Sequence, residues 1–239
     1  MAIIALDTAT PTLALALGDE QGNVVVSQSL RMQRVHATML HPLLDGMMEA
    51  AGVKPGDVRG VAVGLGPGSY TGVRIGVATA KMIGYQLGVP VAGVSSLRAA
   101  AYAARASGIA AAVFDARRGD AYAGAYEWRD GVWETVLEER RVACAAFARE
   151  LATLGASHIA LTGDAADAVL RELAPAGTPC TVYDRAAQVR AEHVYDLALP
   201  ELARRLAGGE EGGHGKDAHA LVPRYLQLAE AEARWRAGD

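Results

Sequence analysis

The densest chemical signal in the chain is the segment Gly64-Leu65-Gly66-Pro67-Gly68-Ser69-Tyr70-Thr71-Gly72-Val73-Arg74-Ile75-Gly76. It leaves a strand pattern and opens a helix pattern, and free amides at a helix N-terminus attract anions. No Gly-Lys-Ser/Thr closes it, so it is not a Walker A loop, and its glycines miss the dinucleotide register. The histidines do not suggest a metal. His36 and His41 are five apart and point in different directions on a helix, whereas a zinc pair needs i, i+4 and a third ligand. His158 and His193 stand alone, and His214 and His219 fall in a loop. Ser69, Ser95 and Ser96 lack the Gly-x-Ser-x-Gly setting of a hydrolase nucleophile. Asp115, Arg117 and Arg118 share a turn that could bind an anion, or simply form a solvated local ion pair of little energetic weight. No catalytic residue and no metal site are expected.

Composition narrows the classes further. The 239 residues fit one large domain or two small ones, with 51% hydrophobic and 21% charged residues. Aromatics are only 5%, so Ala, Val and Leu must fill most of the core. The formal net charge of −4 lacks the basic surplus of a chain that grips nucleic acid unaided. Cys144 and Cys180, widely spaced, read as reduced thiols of a cytoplasmic protein. The apolar start, Ala2 to Leu6, meets Asp7 at once, too soon for a signal peptide, and no run reaches the ~18 apolar residues of a membrane helix.

The elements that would position these residues begin as a meander: strands at Ala2–Leu6, Thr12–Leu17 and Val24–Leu30. From His36 to Ala51 the period changes. Met39, Leu40, Leu43, Leu44, Met47 and Met48 make a wide apolar helical face, ended by Gly52. A strand at Gly60–Leu65, a helix at Thr71–Leu87, a strand at Val89–Val94 and a Ser-capped helix follow. Near Ala106 the pattern restarts. Strands are expected at Ile109–Phe114 and Ala121–Trp128, the second with Tyr122 and Tyr126 on one face and Ala121, Ala123 and Ala125 on the other. A helix at Val142–Leu154, a strand at His158–Thr162, a helix to Leu173 and one from Ala187 to Leu206, broken or kinked by Pro200, complete it. Gly208–Gly215 reads as a loop, and a terminal helix at 221–236 is expected to pack back on the first half. The domains are therefore 1–106 and 107–210. The class is α/β: two ribonuclease H-like halves, each a mixed sheet flanked by helices, resembling the actin, Hsp70 and sugar-kinase superfamily.

Two features gain meaning in that frame. In ATPases of this superfamily the first hairpin reads Asp-x-Gly-Thr/Ser; its Asp organises the metal and its amides wrap the phosphates. Here Leu6-Asp7-Thr8-Ala9-Thr10-Pro11 has Ala9 in place of the Gly, and Pro11 removes a donor. Asp7, Thr8, Thr10, Gly66 and Gly68 thus make a vestigial phosphate loop. In the second helix, Gly72, Gly76, Ala80 and Gly84 form one stripe at four-residue intervals. Each interior Gly costs about 1 kcal/mol against Ala, so close approach of another element must compensate. That element is either the chain's own sheet or a partner subunit, and the Met-rich first helix favours the partner. Met39, Leu40, Leu43, Met47, Gly72, Val73, Gly76, Ala80 and Gly84 are the candidate partner face.

The strings Ile4-Ala5-Leu6-Asp7-Thr8-Ala9-Thr10, His36, Gly66 to Gly76, Val94-Ser95-Ser96-Leu97, Asp115-Ala116-Arg117-Arg118-Gly119-Asp120-Ala121-Tyr122 and Pro223-Arg224-Tyr225-Leu226, in this order, resemble the TsaB (YeaZ) family over nearly the whole chain. The resemblance implies a non-catalytic scaffold that docks through its two N-terminal helices on the catalytic relative TsaD, with the ATPase TsaE. Together they place a threonylcarbamoyl group on the anticodon-adjacent adenosine of tRNAs reading codons that begin with A. It implies a homodimer when alone, no membrane, and no cofactor beyond a nucleotide at a subunit boundary. TsaD carries a His-x-x-x-His metal pair after the strand that here ends at Val94; the matching Ser95-Ser96-Leu97-Arg98-Ala99 has no His. The competing reading is a stand-alone ATPase or sugar-kinase-like phosphotransferase.

Overall fold

The computed structural model describes residues 1–31, 36–185, 189–208 and 218–226. The first sheet is built from β1 (Ala2–Asp7), β2 (Thr12–Gly18), β3 (Val24–Arg31), β4 (Val58–Gly64) and β5 (Val91–Val94), with α1 (His36–Ala50), α2 (Tyr70–Leu87) and α3 (Ser96–Tyr102) between and after them. The second sheet is built from β6 (Ile109–Asp115), β7 (Asp120–Arg129), β8 (Val132–Ala143), β9 (Ile159–Thr162) and β10 (Cys180–Asp184), with α4 (Cys144–Thr153), α5 (Ala166–Leu173) and α6 (Ala191–Ala207).

The two sheets share one topology. Their orders are β3-β2-β1-β4-β5 and β8-β7-β6-β9-β10, with an antiparallel meander on one side and parallel strands on the other. This is the ribonuclease H-like order expected for each half. Equivalent positions follow from it: Asp7 ends β1 as Asp115 ends β6, and Gly64 ends β4 as Gly163 follows β9.

Three packed layers result. Ile4, Leu6, Leu13, Leu15, Val61 and Val63 face α1 and α2. Ile109, Ala111, Val113, Ala121, Ala123 and Ala125 face α4 and α5. Between the sheets lies an alanine-rich layer, where Ala5, Ala16, Ala62, Ala110 and Ala112 meet Leu97 and Ala100 of α3 and Val194, Ala198 and Leu202 of α6. Small side chains let helix and sheet backbones approach closely, so Ala fills the space aromatics leave vacant. Tyr126 joins this middle layer, on the face opposite Ala121, Ala123 and Ala125, as the alternation requires.

The helices cross over between halves. α3, from the first half of the chain, packs on β6 and β7; α6, from the second, packs on β1, β4 and β5. A cut at residue 106 thus follows the chain and not the packing.

Other expectations are corrected. β8 occupies 132–143, where no strand was read, and α4 starts only at Cys144. β8 is an edge strand bearing Glu134, Glu138, Glu139, Arg140 and Arg141, and charges on an edge mask strand periodicity while guarding against aggregation. Short β10 was missed as well. Pro200 does not break α6; it is exposed, so the freed carbonyl can meet water. Residues 221–226 are not helical, and 227–236 lie outside the described residues, as does most of the 208–215 loop. Among the described residues no helix is long and apolar enough to cross a membrane.

Candidate functional site

The five residues of the vestigial phosphate loop do come together, at the carboxyl ends of β1 and β4, where the strand order reverses and open α/β sheets bind their ligands. What they bind is one another. The Ala9 amide donates to Asp7 Oδ1 at 2.8 Å, and Ser96 Oγ donates to Asp7 Oδ2 at 2.5 Å. Ser96 Oγ in turn accepts from the Gly66 amide at 3.1 Å, and the Ser96 amide donates to the Gly66 carbonyl at 2.9 Å. Gly64 makes room for the carboxylate, since a Cβ there would overlap it.

The glycine-rich loop then closes over the hairpin. The Ser69 amide donates to the Ala9 carbonyl at 2.7 Å, and Thr8 Oγ1 donates to the Gly72 carbonyl at 2.7 Å. A Cβ on Gly68 or on Gly72 would fall well inside contact distance of the Ala9 or Thr8 carbonyl. The Thr12 amide donates to Thr10 Oγ1 at 3.3 Å, and His36 Nε2 lies 2.9 Å from the Thr10 carbonyl, which assigns the proton to that nitrogen. Asp7, Thr8 and Thr10 are all buried. Burial pushes the Asp7 carboxyl up to about 6, against the lowering effect of its Ser96 and Ala9 hydrogen bonds. The arrangement is a sealed strut between two loops: the Ala9, Gly66 and Ser69 amides, on the loops that would cradle a phosphate, already have acceptors.

The stripe on α2 is also accounted for internally, which corrects the partner-face reading of Gly72, Val73, Gly76, Ala80 and Gly84. All five are buried. A Cβ on Gly76 would overlap Thr8 Oγ1 and sit 3.2 Å from Leu6 Cδ1; one on Gly84 would overlap the Val91 side chain. The element that approaches closely is the chain's own sheet. Ser69 caps α2 by accepting from the Gly72 amide, and Gly88 ends it in the left-handed conformation. Leu40 and Met47 of α1 are core residues as well, while Met39 and Leu43 are only half-buried.

What α2 leaves outside is different. Thr71, Arg74, Ala78, Met82 and Tyr85, at spacings of three and four, form its exposed face. Met82 is 54% and Tyr85 63% exposed. Beside them runs segment 218–226. Lys81 Nζ donates to the His219 and Leu221 carbonyls, each at 3.0 Å, Tyr225 stacks on Tyr70 at 5.2 Å, and Tyr85 meets the edge of His219. The Arg224 amide donates to the Leu65 carbonyl at 2.8 Å, and its guanidinium pairs at 3.1 Å with Glu139 of β8. Sequence reading missed Ser96 as the partner of Asp7 and this tie between Arg224 and Glu139, because both join residues far apart in the chain.

The family model of TsaD, the tRNA N6-adenosine threonylcarbamoyltransferase, matches residues 23–235. Two Pseudomonas aeruginosa structures align over almost the whole chain. YeaZ has a TM-score of 0.75 and 26% identity, covering 94% of this chain and all of its own. A protein described as similar to peptidase YEAZ has a TM-score of 0.72 and 27% identity, covering 95% of this chain and 99% of its own. The chain belongs to the TsaD family, on its TsaB (YeaZ) branch. No protein of curated function matches it by sequence. Membership links the TsaB-type chain to tRNA modification and puts the sealed Asp7 strut inside a family that has an active transferase. Among the described residues, no three His, Cys, Asp or Glu side chains gather as a metal site would require.

Proposed function

We propose that this chain is a non-catalytic docking subunit in threonylcarbamoylation of tRNA. It pairs with a TsaD-type catalytic subunit, with a TsaE-type ATPase completing the assembly, reaches tRNA through that complex in the cytoplasm, and self-associates when alone. The observation that carries this reading is the sealed strut: Asp7 is fully buried and bonded to Ser96, and the Gly66–Gly72 loop sits directly on the hairpin. A clamp for ATP needs free amides and an ionised acid at that place. Here the Ala9, Gly66 and Ser69 amides are engaged, and the acid is buried, bonded to Ser96 and raised to about 6.

The docking face follows from what remains exposed. Tyr70, Met82, Tyr85, Val222 and Tyr225 are exposed large hydrophobic residues concentrated on α2 and the segment beside it. Clustered apolar side chains at a surface mark association sites, with Tyr and Met favoured there. We include the half-buried Met39 and Leu43 of α1 as candidate members of the same docking face. The test is Met82→Asp. Its side chain is half in water, so folding should be unaffected. Size exclusion of the chain co-expressed with its TsaD relative should show the wild-type pair and lose it in the variant. Pairing that survives a charge at position 82 would mean that another face docks.

A further inference from the structure

The second sheet has its own reversal point, equivalent to the Asp7 strut, and it is open. Asp115 ends β6 where Asp7 ends β1, yet Asp115 is exposed. The turn after it holds three consecutive residues with positive φ: Arg117 at 68°, Arg118 at 57° and Gly119 at 84°. The left-handed conformation is unfavourable for a side chain with a Cβ, and two arginines in a row adopt it where glycine would serve better. The turn is braced by acids already engaged. The Arg117 amide donates to Asp115 Oδ1 at 2.8 Å, the Asp115 amide donates to Asp164 Oδ1 at 2.7 Å, and Asp120 pairs with Arg141 at 2.8 Å. The Cys144 amide donates to the Gly119 carbonyl at 3.0 Å, tying the turn to α4. The guanidinium groups of Arg117 and Arg118 are exposed and make no ion pair among the described residues. Two cationic side chains with no ion pair among the described residues are thus carried by adjacent residues of a hairpin tip, on backbone that resists the conformation.

We propose that Arg117 and Arg118 are a phosphate-contact site for the backbone of tRNA. The inference rests on the proposed function, which supplies the polyanion. Guanidinium suits phosphate because its fork of donors matches two oxygens at once. A chain of net charge −4 has no general attraction for RNA, so affinity must come from local contacts of this kind.

The test uses the double variant Arg117→Gly, Arg118→Gly. Glycine accepts the left-handed backbone, so the melting temperature should hold or rise while both charges are lost. Binding of unmodified tRNA to the assembled complex is measured between 50 and 200 mM KCl. Each phosphate contact contributes about 0.7 to the salt slope of a single strand, so the slope should fall by about 1.4, and affinity at 0.1 M salt by about 25-fold. Arg117→Lys, Arg118→Lys should retain most of it, and Arg149→Ala, equally exposed on α4, should change neither. Unchanged slope and affinity in the folded glycine variant overturn the inference. So does a loss confined to ATP or inorganic phosphate, which makes the turn a nucleotide site, or a loss of pairing with the TsaD relative, which makes it a protein contact. Pair formation is read separately by size exclusion. If the pair never forms, the proposed function fails, and the salt slope of the chain alone still decides the hairpin.

Discussion

Replacing Asp7 by Asn separates a strut from a catalytic acid. A carboxyl moved from 3.8 to about 6 by burial disfavours the folded state by about 3 kcal/mol once it is ionised. The sign follows from the direction. The folded value lies above the unfolded one, so this residue's contribution is intact below pH 3.8 and is lost as pH rises towards 6. Between pH 4.5 and 7.5 the wild type therefore loses about 2 kcal/mol through Asp7 alone. Asn keeps the acceptor for the Ala9 amide, but its own amide must meet Ser96 Oγ, at a cost of about 1 kcal/mol at every pH. Asn does not titrate. At pH 4.5 the wild type has already lost about 1 kcal/mol, so Asp7→Asn should melt close to it there and above it by pH 7.5, with a relative change of about 4–8 °C for a chain of this size. Thermal melts of both proteins across that range give the result, and an ATP hydrolysis assay on the same samples completes it. Parallel melting profiles would refute the upward shift of the Asp7 carboxyl. ATP turnover by the purified wild type that disappears in the variant would refute the strut altogether.

Gly76→Ala should lower the melting temperature by about 4–8 °C, because its Cβ overlaps Thr8 Oγ1 and the roughly 1 kcal/mol of helix propensity it gains falls short of an overpacking cost of roughly 3 kcal/mol; a neutral or raised melting temperature would place the stripe at a looser contact. Gly76→Leu, larger still, should fail to fold for the same reason. His193 is held below its ordinary pKa chiefly by burial, with Nδ1 3.2 Å from the Ala99 carbonyl and Tyr102 edge-on. Its contribution is therefore intact above pH 6.5 and lost on acidification, and His193→Leu should flatten the fall in stability from pH 6.5 to 5 in urea titrations; an unchanged slope would remove His193 as a source of acid sensitivity.

The fold was largely legible because its buried strands are continuous apolar runs, such as Ala2–Leu6 and Ile109–Phe114, and its first helix carries a wide apolar face. β8 escaped because an edge strand with solvent on one side needs no apolar alternation, and its charges left 132–141 without a pattern ahead of the helix expected at Val142–Leu154. The site was half legible. Asp7, Ala9 and Pro11 announce a weakened phosphate hairpin, since the losses are local to the motif. Its closure is not local: it depends on Ser96, 89 residues away, and on backbone atoms of the Gly66–Gly72 loop, which have no sequence signature. The glycine stripe illustrates the same limit. Spacing says that something comes close; only the packing of Leu6, Thr8 and Val91 says that it is the chain's own sheet. The exposed complement, Ala78, Met82 and Tyr85, lies on the same helix one face away, and no propensity distinguishes the two faces.

The account turns on whether the chain acts by docking, and the modified nucleoside reports this most directly. Unmodified tRNA would be incubated with ATP and an activated threonylcarbamoyl donor, digested, and assayed by mass spectrometry for threonylcarbamoyladenosine. The account predicts none from this chain alone, product from the chain with its TsaD and TsaE relatives, and undiminished product when Asp7→Asn replaces the wild type in that mixture. Product formed by this chain without a partner, or a mixture silenced by Asp7→Asn in a folded protein, would contradict it.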